Sequence, residues 1–503
     1  MSTQISDQEA KIKMHSARHT LSKLWIITLL LAILASGCTP EAGEQAQQLT
    51  VFYTSDEHGW MAGEQADAGA ANLFGLWLQN GYTEDGSYLI LSGGDNWTGP
   101  AISTWFDGQG MVQVMNAMDY SASVIGNHEF DFGLDTLKTR IAEAEFPYLA
   151  ANMRWKDSQA FPSDLSILPY TLLEMGSVTV AVIGLTSMQV PTLSDPNVVS
   201  GLEFLDYEQT LRQYVPEVRQ AGADLVLVPT HVCMDELQRL SQQVADLKID
   251  LFGGGHCHQL LADEMNDTLL LAGGDNLRGY AWATFFIDPT SESVTLEDYG
   301  LEPNQGGEPD PQVAALVANW QAKTDAELDV TVGYLRNEIP QHSQVMQDLV
   351  TQTWLLANPN ADVAITNTGG FRDRLPAGEI TLKDIISVLP FDNELVEAEL
   401  SGAELLRVLK TGSQMPAVGG MHQESGRWVL DRTNQPLEST GTYTLLTTDY
   451  MYAGGAGYSM LETFDPEAYD TGIDWRQPLI DWIRDQRSTP EKPLDAAIRA
   501  LVQ

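Results

Sequence analysis

The sequence predicts an α/β fold made of two domains in series, and three observations carry that expectation. At 503 residues the chain is longer than one hydrophobic core supports. A hydrophobic content of 43%, with 12 Trp and 16 Tyr, is ample for folded domains. Short, continuous apolar runs alternate with stretches of helical periodicity, and such runs read as strands buried on both faces. The chain has no fixed-period internal repeat.

The N-terminus reads as an export signal. Lys11, Lys13, Arg18 and Lys23 precede an apolar run from Leu24 to Ala35 that is too short to span a bilayer comfortably. It ends in Leu34-Ala35-Ser36-Gly37-Cys38, which is similar to a bacterial lipoprotein box, with Ala35 where Leu is commonest. The resemblance implies a signal peptide over 1–38, lipidation of Cys38 and a lipid-anchored chain on the periplasmic side of the cell envelope. Plain cleavage and secretion to the periplasm is the alternative. Residues 39–48 then form a polar tether.

The expected first domain covers 49–303. Five of its apolar runs each end in ligand-type residues. Leu49–Tyr53 leads to Asp56-Glu57-His58, Leu89–Leu91 to Asp95, and Ser123–Ile125 to Asn127-His128-Glu129-Phe130-Asp131. Leu225–Val228 leads to His231, and Ile249–Phe252 to His256-Cys257-His258. Val178–Ile183 and Ala283–Ile287 are further strand candidates. Functional groups of layered α/β domains gather in loops after the strands' C-terminal ends. The segment Asn304-Gln305-Gly306-Gly307-Glu308-Pro309 is a boundary signal. Val313, Leu316, Val317 and Trp320 have helical spacing, so 304–329 reads as a linker with a helix from Pro311. A second domain over 330–495 has strand candidates Val363–Thr366 and Tyr443–Leu446, a helix over Ala403–Lys410, and glycine pairs at 369–370 and 454–455.

Charge narrows the function. With 69 acidic against 27 basic residues the formal net charge is −42, which argues against nucleic-acid binding because phosphate backbones would be repelled. An anionic substrate needs local cations to hold it against this field. Cys233 and Cys257, the cysteines left after Cys38, are too few for a disulfide framework. One pair could bridge, but two reduced thiols that do not ligate are the expectation, since neighbouring residues supply enough ligands.

Carboxylates, imidazoles and an amide converging from five strand ends make a metal site, most simply a two-metal one. The chain after Cys38 has seven His, and five of them lie in these loops. Two divalent ions close together can activate a shared water and neutralise a phosphoryl transition state. The donor set suits zinc, manganese, cobalt or iron.

Asp56-x-His58, Gly94-Asp95, Gly126-Asn127-His128-Glu129, Thr230-His231 and Gly255-His256-Cys257-His258 resemble the signature of calcineurin-like metallophosphoesterases. With Ser92–Asp95 and Gly126–Asp131 the nearest likeness is to the bacterial 5′-nucleotidase/UDP-sugar hydrolase family, and it runs over nearly all of the mature chain. The resemblance implies a layered β-sandwich flanked by helices, followed by an α/β substrate-binding domain. It implies one metal on Asp56, His58, Asp95 and His258, and a second on Asp95, Asn127, His231 and His256, with Asp95 bridging. Position 258 is often Gln in the family. His128 and Asp131 resemble its catalytic dyad: a carboxylate three residues on can orient the imidazole and hold its proton. Glu129 is expected behind the ligands and Glu57 in solvent.

Asn367-Thr368-Gly369-Gly370-Phe371-Arg372, Leu389-Pro390-Phe391-x-Asn393 and Tyr450–Tyr458 resemble the family's specificity domain. The likeness implies that Asn367 and Arg372 meet the phosphate side and that Phe391 and Tyr450 sandwich a base. Two departures bear on the substrate. Ala456 stands where the family has a ribose-contacting Asp, and Pro340–Asp348 offers His342 in place of the family's cations.

The expectation is an exported hydrolase of phosphate esters, 5′-nucleotides or UDP-sugars above all, using a metal-bridging hydroxide. The second domain would close over the substrate by rotating about Pro311–Asp329. A thiosulfohydrolase of sulfur oxidation is the alternative, since Gly93–Trp97 and Trp105-Phe106-x-Gly108 also look like that branch. Its members typically depart at the Asn-His pair that is intact here. A non-catalytic nucleotide-binding lipoprotein would be marked by a degraded metal centre. Oligomeric state, the exact substrate and which membrane holds the lipid are not readable from the sequence.

Overall fold

The computed structural model describes residues 47–64, 68–265, 268–288, 293–411 and 415–502. The export signal, Cys38 and the tether up to residue 46 lie outside the described residues. Among the described residues, no helix is long and apolar enough to cross a membrane.

Among the described residues, the first domain contributes fourteen strands. They are β1 (Gln47–Thr54), β2 (Tyr88–Ser92), β3 (Ala122–Val124), β4 (Tyr148–Leu149), β5 (Met153–Trp155), β6 (Tyr170–Met175) and β7 (Val178–Ile183). β8 (Leu202–Phe204), β9 (Leu225–Pro229), β10 (Leu251–Gly254), β11 (Leu260–Met265), β12 (Thr268–Gly273), β13 (Gly279–Ile287) and β14 (Val294–Pro303) follow. Two six-stranded sheets result, in the orders β14-β13-β1-β2-β3-β4 and β11-β12-β10-β9-β7-β6. Their centres are parallel: β1 pairs with β2 and β2 with β3, while β7, β9, β10 and β12 run in one direction.

Alternation along each strand explains the layering. Leu49, Val51 and Tyr53 of β1, with Leu89 and Leu91 of β2, face Leu225, Leu227, Leu269 and Leu271 between the two sheets. The intervening Phe52 and Ile90 pack outward under helices that include Ala70–Gln79 and Gln109–Ala117. On the far side, Val226 and Val228 pack outward under helices Tyr207–Gln220 and Met234–Gln243. Every central strand is therefore apolar on both faces, as its continuous run required. One boundary moves: Gln47 and Gln48, expected in the tether, lie opposite Ile287 and Phe286 in β1. Backbone pairing at a strand's open end does not require apolar side chains.

Helix Pro311–Leu328 follows, with Asp310 accepting from the backbone N–H of Gln312 and Val313. Val313 and Trp320 are buried in the first domain's core, and Leu316 and Val317 pack against it. The second domain has a five-stranded mixed sheet in the order 417–419, 363–366, 442–448, 394–401, 469–474. Helices Gln344–Ala357 and Gln477–Asp485 contribute to the core on one face, and Gly402–Val408 and Met460–Phe464 to that on the other. The fold continues past residue 495: helix Asp495–Leu501 buries Ile498 in the same core.

Candidate metal centre and substrate cavity

The loops leaving β1, β2, β3, β9 and β10 meet at the rim shared by the two sheets. Three overlapping groups of donor atoms lie within 4.8 Å of one another: Asp56, His58 and His258; His58, Asp95 and His128; Asp95, His231 and His256. Asn127 joins them, its Oδ1 3.2 Å from His231 Nε2. The seven residues expected as ligands are thus brought to one place.

Backbone geometry turns these side chains inward. Asp56, His58, Asp95, His256 and His258 all have positive φ, between 45° and 68°. Asp and His tolerate this left-handed region better than most residues, and such conformations cluster at functional sites. Gly126 is required for closeness: a Cβ there would meet Asp95 Oδ1 at 2.2 Å.

Hydrogen bonds fix each donor. His231 Nδ1 donates to Gly93 O at 2.8 Å and His58 Nδ1 to Thr98 O at 3.1 Å, which leaves both Nε2 atoms as lone-pair donors. The N–H of His256 donates to Asp56 Oδ1 at 2.9 Å, and that of His128 to Asp95 Oδ1 at 2.8 Å. Glu129 accepts from the N–H groups of Asp95, Asn96 and Gly126 at 2.7–2.9 Å and so clamps the Asp95 loop. Glu57 is a correction. Expected in solvent, it is fully buried and accepts from Thr54 Oγ1, Ser92 Oγ and Asn96 Nδ2. It faces into the first domain because its neighbours Asp56 and His58 both turn toward the centre.

The cysteines are a second correction. Cys233 and Cys257 form a disulfide, so they are not two free thiols. The physical reason is proximity: β9 and β10 are parallel neighbours, so the loops after them lie side by side. The bridge ties the loop of His231 to that of His256 and His258.

The electrostatics suit a cation site. Burial pushes Asp56 up to about 8, with Asp95 adding to the rise, and burial drives His256 down to about 4. Burial also lowers His231, but Asp95, 2.9 Å away, outweighs it and carries the imidazole to about 10. Among the described residues, the ion-pair partners of Asp56 and Asp95 within 4.0 Å are imidazoles. A divalent ion would satisfy the buried Asp56 and Asp95 carboxylates and the His58 lone pair, and its binding would displace the His231 proton that otherwise balances Asp95. The oxygen and nitrogen donor set, with both thiols consumed in a bridge, fits such ions.

Beside the centre, His128 Nδ1 lies 2.7 Å from Asp131 Oδ2. Burial lowers the His128 imidazole, but Asp131 and Asp95 outweigh it and raise it overall. A cavity of about 630 Å³ opens here, lined by Asn127, His128, Asp131 and His256 from the first domain and by Asn367, Arg372, Phe391 and Tyr450 from the second. Phe391 stacks on His128, ring centres 5.7 Å apart at 22°. Tyr450 accepts from the N–H of Ala456 at 3.0 Å and donates to Leu193 O at 3.1 Å, bridging the domains. Arg372 is deeply placed, its Nη2 3.2 Å from His58 Nε2, and burial followed by repulsion from Arg372 holds that imidazole well below its usual value.

A second cavity of about 450 Å³ lies on the other side of Arg372, lined by His58, His258, Asp275, Arg278, His342 and Arg374 among others. Sequence reasoning missed Asp275, Arg278 and Arg374. The signal for the first was present: Gly273-Gly274-Asp275-Asn276 follows the apolar β12 just as Gly93-Gly94-Asp95-Asn96 follows β2.

Residues 321–463 match the family model described as the 5′-nucleotidase C-terminal domain. Protein UshA of Yersinia enterocolitica is 27% identical over 90% of this chain and 93% of that protein. A 5′-nucleotidase of Vibrio parahaemolyticus is 26% identical over the same shares. The second half of this chain thus carries a 5′-nucleotidase C-terminal domain, and the chain is similar to 5′-nucleotidases over nearly its whole length. Among solved structures, a 5′-nucleotidase precursor of Thermus thermophilus shares the fold at TM-score 0.75, with 21% identity over 88% of this chain and 97% of that one. The Thermus thermophilus sulfate thiohydrolase SoxB shares the fold at TM-score 0.70 with 16% identity, over 87% of this chain and 94% of that one.

Proposed function

We propose that this chain is an exported phosphoesterase that hydrolyses 5′-nucleotides or UDP-sugars at a two-ion centre. One observation carries the reading: Asn127 and His256 of the gathered ligand set, with the His128–Asp131 pair, line a cavity walled by Arg372, Phe391 and Tyr450. One ion would be held by Asp56, His58, Asp95 and His258, the other by Asp95, Asn127, His231 and His256. Bound divalent ions of zinc, manganese, cobalt or iron type would supply an activated water and neutralise phosphoryl oxygens.

The chain's own residues do the rest. Asp131 accepts from His128 Nδ1 and favours the doubly protonated ring, whose Nε2–H can pass its proton to the leaving oxygen and leave a neutral imidazole. Arg372 offers a planar fork to phosphate oxygens in a field that is otherwise strongly acidic. Asn367 lines the same wall. Phe391 and Tyr450 offer aromatic faces to a flat base.

A metallophosphoesterase domain over 49–303, a linker over 304–329 and a substrate domain over 330–495 complete the proposal, with lipid attached at Cys38 after removal of the signal peptide. The Cys233–Cys257 bridge supports export, because such bonds persist in oxidising compartments.

The test is release of phosphate by the chain from Thr39 onward, loaded with manganese or zinc. The panel holds AMP, UDP-glucose, bis-4-nitrophenyl phosphate, 2′,3′-cyclic AMP, a sugar phosphate and a thiosulfonate. Preference for AMP or UDP-glucose is expected and would show that Ala456 is tolerated. Turnover of the generic ester or sugar phosphate alone would refute nucleoside recognition. Sulfate release without phosphate release would replace the reading with the thiosulfohydrolase one.

A further inference from the structure

We propose that Asp275 is a positioning residue for the His258 imidazole, braced by Arg278 and Glu64. The inference rests on the metal-centre reading above and deepens it.

The ligating imidazoles differ in how they are held. His58 and His231 are buried, and each donates Nδ1–H to a backbone carbonyl. His258 is 41% exposed and lines the second cavity, so packing alone does not orient its ring. Its Nε2 points inward, 3.2 Å from His58 Nε2 and 3.7 Å from Asp56 Oδ1. Its Nδ1 faces Asp275 Oδ2 at 3.8 Å. A carboxylate behind the outer nitrogen fixes tautomer and ring direction and makes the inner nitrogen a better donor. Closing that gap by about 1 Å completes the hydrogen bond.

The carboxylate is itself held. Arg278 Nη1 donates to both Asp275 oxygens, at 3.1 and 3.0 Å, while its Nη2 is bonded to Glu64. A guanidinium fixed between two carboxylates keeps Asp275 from swinging into the cavity. The loop is also tied to the centre, since the N–H of Asn276 donates to Asp56 O at 2.8 Å. Placement follows from topology: β12 is the parallel neighbour of β10, so Asp275 emerges beside the loop that carries His258. The two Gly-Gly-Asp-Asn segments thus play different parts. Asp95 enters the centre, whereas Asp275 stands behind one of its ligands.

The test is calorimetric titration of Mn²⁺ into chelator-stripped protein, for the mature chain and for Asp275→Ala and Asp275→Asn. The unsubstituted protein should take up two ions; failure to do so would sink the metal-centre reading and this inference with it. In Asp275→Ala one ion should bind about 10- to 100-fold more weakly while the other is unchanged. Asp275→Asn, which still accepts a hydrogen bond, should recover part of that loss. Melting points of the metal-free proteins should agree within error. Two unchanged affinities in Asp275→Ala would overturn the proposal, and so would equal weakening of both ions with a lowered melting point. If the alanine protein does not fold, Asp275→Ser replaces it, with the same selective loss expected.

Discussion

His128 and Phe391 face each other across 5.7 Å, and they are held by opposite means. His128 sits in a net of directed bonds: its N–H to Asp95, its Nδ1 to Asp131, and its loop fastened by Glu129. Phe391 is half-buried in a turn after Pro390, and its ring neighbours are His128 and Trp475. Reactive groups need sub-ångström placement, which directed bonds supply. A ring proposed to stack on a base needs only a flat face, which apolar packing supplies. The contrast is between directed bonds at the centre and apolar packing at the proposed substrate wall.

Four variants sharpen or break that contrast. Asp95→Ala removes the carboxylate shared by both proposed ions, so kcat for the preferred substrate should fall by at least about 10³-fold in metal-replete assays. Replacing Cys233 and Cys257 together by Ser should cost about 3 kcal/mol in urea unfolding, since the bridge closes a short loop between the His231 and His256 segments. An unchanged midpoint would mean that those loops are rigid without it. Arg372→Ala should lower kcat/KM about 10²-fold for every phosphate ester, because its proposed partner is the phosphate and not the base. Phe391→Ala should raise KM for a nucleotide about 10-fold and leave 4-nitrophenyl phosphate unaffected. Equal losses on both substrates would place Phe391 with His128 in the chemistry and erase the contrast.

The same contrast explains what the sequence made legible. The seven residues that converge at the centre could be picked out because each follows a buried strand, where a charged or imidazole residue has few other reasons to stand. Strand limits were close for the same reason, since continuous apolar runs mark both-face burial. Glu57 was misread because an acidic residue in a loop is ordinarily solvated, and only the fold shows its three donors. The disulfide was misread because strand order, not spacing, brings Cys233 beside Cys257. Arg278 and Arg374 were overlooked because a lone Arg has no sequence signature until its carboxylate partners, Asp275 and Glu338, are in place.

Helix Pro311–Leu328 carries a mechanical consequence. At 18 residues it is about 27 Å long, and Trp320 seats it in the first domain. It is a bolt, not a strap, so a rotation of the second domain cannot be spread along it. Its far end, Leu328, meets Ala101 and Ile386 in a small apolar cluster. That cluster is the natural bearing, close in the chain to the loop of Asp95. A roll at that bearing would swing Tyr450 from the cavity and part Arg372 from His58, 3.2 Å away, so the mouth and the centre are mechanically linked.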